Sequence, residues 1–90
     1  MDKQQLHEIL ERLHTELQHT RSVDERDREI LRALAQDIQV LLDPAAPGQL
    51  HQYRSLGGRL AEAVRHFEAS HPTLTLTLGQ AVDTLAKMGI

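Results

Sequence analysis

Leu6, Leu10, Leu13 and Leu17 return at steps of four and three, with Ile9 beside them, and fall within about 100° of a helical wheel. A strand would scatter them over two faces, so the spacing predicts a helix over residues 2–19. Glu8, Glu11, Arg12 and Thr15 take the opposite, solvent face. The same period recurs in Ile30, Leu31, Leu34, Ile38, Leu41 and Leu42, then in Leu56, Leu60, Ala63, Val64 and Phe67, then in Leu74, Leu78, Ala81, Leu85 and Met88. Four greasy stripes at helical spacing predict an all-α protein in which every stripe must be covered.

Local signals place the ends of these segments. Ser22-Val23-Asp24-Glu25 has the form of a capping box, Ser22 accepting from the Glu25 amide while Glu25 reaches back, and predicts a second helix over 23–42. Asp43 precedes Pro44, and a residue before proline leaves the α region. The heptad phase of the first helix also runs through Thr20, Asp24 and Asp27 into the second, which allows one helix of about 60 Å. A continuous seam would bury two carboxylates without partners, so an antiparallel hairpin turning at residues 19–22 is the better solution.

Residues 43–54 hold two of the three prolines and no sustained period, and read as a linker with room for one irregular turn at Gln49 to Tyr53. A third helix is expected over 55–70, with Ser55 as N-cap and Gly57 and Gly58 weakening its first turn. Residues 73–78 alternate strictly, as a strand would, but Leu74, Leu78, Ala81 and Leu85 keep helical steps, with Pro72 suited to the first helical position. A fourth helix over 72–88 follows, capped by His71 or Thr73. Leu76 and Val40 then lie off the stripes, as stray exposed residues or parts of a second contact face.

Ninety residues suit one domain spanning 1–90. Folding a chain of this mass buries only about 64% of its surface, and with no cysteine to staple it, the expected architecture is a hairpin plus two helices completed by self-association. The charge of −3, with neither sign clustered, and only Tyr53 and Phe67 as aromatics disfavour nucleic-acid binding. No apolar run approaches a membrane span, and the polar start lacks a signal peptide's apolar stretch, so the expected compartment is the cytoplasm.

Over nearly its whole length the chain resembles a family of short bacterial helical proteins, known as domain of unknown function forty-four-zero-four. The opening MDKQQLHEILERLHTELQHTRSVDERDREIL carries the likeness, and so does FEASHPTLTLTLGQAVDTLAKMGI. Its most specific piece is Ser70-His71-Pro72-Thr73-Leu74-Thr75 followed by Met88-Gly89-Ile90. The resemblance implies a mostly helical, stand-alone bacterial protein and supplies no catalytic residues.

Candidate chemistry is sparse. His7, His14 and His19 lack the i,i+4 or i,i+3 spacing of metal ligands, and His66, His71 and Glu62 would meet only if the turn after the third helix brought them together. His71-Pro72-Thr73 is either helix punctuation or, with an imidazole and two nearby hydroxyls at a helix N-terminus, a place to hold an anion. Gly57-Gly58 lies in no phosphate-loop motif. No nucleophile stands beside a base, and so short a chain would struggle to line a pocket of about 300 Å³. The expectation is a non-enzymatic protein with no cofactor or metal, whose stripes bind a second copy or another protein. An alternative is a nucleic-acid-associated regulator using Arg26, Arg28 and Arg32, which Asp24, Glu25, Asp27 and Glu29 neutralise.

Overall fold

Four helices form where the stripes require them: α1 (Lys3–His19), α2 (Glu25–Leu42), α3 (Leu50–Phe67) and α4 (Pro72–Lys87). They are seen in a computed structural model that describes residues 3–22, 24–43, 45 and 50–89. Much of the expected linker, and Val23, Pro44 and Gln49 with it, lies outside the described residues. Each helix packs on its neighbours in the chain, and α1 packs on α4 to close the ring. The result is a four-helix bundle with α1 and α2 as a hairpin.

The turn between α1 and α2 corrects the expected capping box. Asp24 is the N-cap, its Oδ1 accepting from the amides of Arg26 at 2.8 Å and Asp27 at 3.3 Å. Ser22 sits two residues back, where its hydroxyl accepts from the Asp24 amide at 3.1 Å and donates to the Asp27 carboxylate at 3.2 Å. Glu25 is the first helical residue and makes no return bond among the described residues. An aspartate at the cap also places its charge against the positive end of the helix dipole, which Ser22 would not do. Asp24→Ala is expected to lower stability by about 0.5–2 kcal/mol in thermal melts.

At α3 the helix begins at Leu50, so residues 50–54 are helical and Ser55 lies inside the helix. Tyr53 explains the early start: it stands three residues before Leu56, on the same face, and packs half-buried against the core. The helix ends at Phe67, earlier than the expected residue 70. His71 holds the N-cap position of α4 with Pro72 just inside, but its side chain makes no capping bond, and Thr73 is exposed beyond it. Thr73→Ala should therefore leave the melting temperature almost unchanged, in contrast to Asp24→Ala. The alternating threonines do not divert α4 into a strand, because helical spacing buries Leu74 and Leu78 together; Thr75 donates to the His71 carbonyl at 2.9 Å, Thr77 donates to the Glu16 carboxylate of α1, and Thr73 is exposed.

Leu6, Leu10, Leu13 and Leu17 interlock with Leu31, Leu34, Ile38 and Leu41, and these with Leu56, Leu60, Phe67, Leu74, Leu78 and Leu85, in one buried cluster. Val64 packs against it half-buried. All of this is achieved within one chain, so the stripes do not need a second copy to cover them. The expectation of self-association loses that motive: with a fourth contact between α1 and α4, each stripe already faces two neighbours. Outside the core, Val40, Leu50 and Leu76 remain 53%, 54% and 70% exposed.

Candidate interaction groove

The seam between α2 and α3 is the least closely packed of the four. On α2 it is flanked by Arg26, Ile30, Ala33, Asp37 and Val40, and on α3 by Ser55, Arg59, Glu62 and His66. Both sets recur at steps of three and four just beside the core stripes. Ala33, Ala63 and Ser55 are too short to fill the space between the helices. Two open hollows result, one of about 420 Å³ around Ile30, Ala33, Leu34 and Ala63, the other of about 270 Å³ around Val40, Leu41 and Leu56. Arg59 borders both and pairs with Asp37 across the seam. The larger hollow exceeds what the aromatic-poor composition led us to expect, because it is formed by small side chains that leave room instead of large ones that enclose it.

The seam is closed at one end by a polar corner. His66 Nε2 lies 2.5 Å from Asp27 Oδ1, and the Ser22 hydroxyl donates to Oδ2 of the same carboxylate. His71 places Nε2 3.2 Å from the carbonyl of Arg21 and Nδ1 2.9 Å from the Ser70 hydroxyl. Phe67, fully buried, meets the rings of His66 and His71 edge-on at 4.8 and 5.3 Å. The chain ahead of α2 and the turn between α3 and α4 are thereby tied together. The His66 hydrogen bond holds the Asp27 carboxyl below the ordinary carboxylate range, against partial burial that pushes it up; the Ser22 hydroxyl and the charges of His66 and His71 assist.

Folding lowers the Asp27 pKa, so its contribution to stability is complete above the ordinary carboxylate range and is lost as pH falls through the lowered value. Asp27→Asn is accordingly expected to melt below the wild type at neutral and mildly acid pH, with the gap shrinking in strong acid. Circular dichroism melts at stepped pH check this, and a constant gap would assign Asp27 a role independent of its charge.

Other candidate residues are dispersed. His66 and His71 meet around Phe67, but their Nε2 atoms serve separate partners, and among the described residues no three His, Cys, Asp or Glu side chains form a group able to hold a metal. His7 faces Glu11 at 3.6 Å, and His19 Nδ1 lies 2.8 Å from the Thr15 carbonyl. Ser70 and His71 do touch, as a nucleophile and base would, but both are at the surface, and the hollow beside the start of α4 is lined by His71, Pro72 and Thr73 without Ser70. Arg28 reaches the Ser22 carbonyl at 3.3 Å, Arg26 borders the larger hollow and Arg32 is exposed, so the three arginines share no one surface task. No described helix is long and apolar enough to cross a membrane.

A family model described as Domain of unknown function (DUF4404) matches residues 6–90. The chain belongs to this family. The DUF4404 match begins at Leu6, the first buried leucine of α1, and takes in the other three helices entirely. No curated protein and no solved structure matches the chain. The DUF4404 description itself names no activity, so function has to be argued from the seam and the corner. Sequence reasoning placed Ile30 in the apolar stripe of α2 and named Val40 as a stray residue or part of a second contact face, without joining the two into this strip. Val40 was its visible signal, together with Ile30 four steps after Arg26 and three before Ala33.

Proposed function

We propose that the protein is a non-enzymatic protein–protein interaction module that works in the bacterial cytoplasm and engages its partner through the α2–α3 face. The observation that carries this reading is the seam itself: two open hollows with apolar floors, rimmed by charged side chains, beside the exposed Val40. A helix with apolar residues at i, i+3 or i+4 and i+7 laid along such a groove covers the floor and meets the rim. The rim is mixed in sign, Arg26, Arg59 and His66 against Asp37 and Glu62, which suits a protein surface better than a polyanion.

A photo-crosslinking amino acid placed at Ala33 or Ser55, compared with one at Glu8 on the outer face of α1, tests this in the native host. Discrete adducts from the two seam positions and none from Glu8 are expected. Equal labelling at all three positions, or none at the seam, would refute the assignment of this face.

A further inference from the structure

We infer that the chain exchanges α1 with a second copy of itself, the turn at residues 20–24 opening so that α1 and α2 join into one helix of about 60 Å. The exchange leaves the α2–α3 face as it stands, so it does not rest on the reading above. Thr20, Asp24 and Asp27 continue the heptad of Leu6, Leu10, Leu13 and Leu17 into Leu31, Leu34, Ile38 and Leu41 without a slip. A hairpin does not require that continuity. Two long helices lying antiparallel side by side do, because the stripe must face the other helix along its full length. The helical ladder also enters the turn from both ends: the Thr20 amide donates to the Glu16 carbonyl at 2.8 Å, and the Arg28 amide to that of Asp24 at 3.1 Å. Thr20, Arg21, Ser22, Val23 and Asp24 include neither glycine nor proline, whereas residues 43–49 hold Pro44, Pro47 and Gly48, and Pro72 bars α3 from running into α4. The α1–α2 turn is therefore the one the sequence leaves able to become helix.

Opening exchanges the bonds of the turn nearly like for like. The amides of Asp24, Arg26 and Asp27, held by the Ser22 and Asp24 side chains at 3.1, 2.8 and 3.3 Å, take the carbonyls of residues 20, 22 and 23. The Arg21 carbonyl, held by His71 in the closed form, takes the Glu25 amide. Core contacts of α1 are remade with α2 and α4 of the second copy, so the two states differ only at the turn and the junction. Asp27 keeps His66, which lies on α3 of its own copy. With the twofold axis at Ser22, Thr20 of one copy comes level with Asp24 of the other, a hydroxyl beside a carboxylate. The α3–α4 turns of the two copies meet across this axis, and the exposed residues there, Ala69 and Ser70, are small enough to pass.

Holding the full chain at about 1 mM near its melting temperature, then cooling it and separating species by size exclusion, tests the proposal. A dimer that returns only slowly to monomer on dilution is expected, since exchange requires α1 to leave the core. The chain has no cysteine, so R12C/Q80C, at exposed positions whose native side chains meet at 3.4 Å between α1 and α4, can be joined by a short bis-maleimide. Purified dimer should then run as a covalent dimer on a denaturing gel, and monomer as a monomer. E25P tests the hinge itself. Proline suits the first helical position of α2, and Asp24, at ψ 125°, already has the extended backbone that precedes proline. In the joined helix the same proline removes an interior bond and clashes with the Arg21 carbonyl in both copies. The dissociation constant should rise more than a thousandfold while the monomer keeps its melting temperature. A wild type that yields no dimer overturns the proposal. So does a dimer crosslinked only within each chain, or an exchanged dimer that survives E25P.

Discussion

Phe67→Ala is expected to cost about 3–5 kcal/mol, the largest loss available from any single truncation in this bundle. A chain of this length has roughly 5–13 kcal/mol in total, so the variant should be marginal at physiological temperature. Phe67 is fully buried and is the larger of only two aromatic core contributors, with Tyr53 at the margin. Its ring fills the corner where α3 turns into α4 and holds His66 and His71 edge-on. Truncation therefore leaves a cavity and also loosens the two histidines that tie the turns to Asp27 and to the Arg21 carbonyl. Leu60→Ala, equally buried but remote from those ties, is the comparison and should cost about 2–5 kcal/mol through its cavity alone. Urea unfolding measures both. A Phe67→Ala midpoint no lower than that of Leu60→Ala would show that the corner adds nothing beyond ordinary packing.

The core was legible because a helical period can be satisfied in only one way: side chains at steps of three and four share a face whatever their neighbours. Leu10, Leu13, Ile38, Leu60 and Leu78, all named from spacing, are at most 2% exposed. Helix ends were less legible. Ser22 and Asp24 are both competent caps two residues apart, and the choice between them depends on where the chain enters from the turn. The early start of α3 was hidden because a single half-buried Tyr53 extends the period by one step.

The seam was illegible for a different reason. Ala33, Ser55 and Ala63 look like ordinary helix surface or core filler, and only the pairing of α2 with α3 turns their small size into open space. The same holds for Asp27 and His66, which are thirty-nine residues apart in sequence. The marginal size that pointed to self-association was a true statement about small chains, but the stripes it was attached to are covered inside one copy.

Replacing Gly57, Gly58 and Gly79 together by alanine is expected to raise stability by about 2.4–3.0 kcal/mol and the melting temperature by about 10–24 °C. All three lie inside helices, and only Gly89 among the described residues has a positive φ, 79°. Alanine at these sites thus inherits a backbone it prefers. Space is available: a Cβ at Gly57 would meet Leu85 Cδ1 at 3.6 Å, an ordinary contact on the α3–α4 seam, and at Gly58 and Gly79 it would meet nothing within 4 Å. The gain should be close to additive, since no side chain is shared between the sites. Gly89→Ala has the opposite sign, a loss of about 1 kcal/mol, because its left-handed conformation at the end of α4 disfavours any Cβ. Gly57 faces α4 and Gly58 faces solvent. If it melts lower, α3 and α4 approach more closely than a 3.6 Å contact at Leu85 allows.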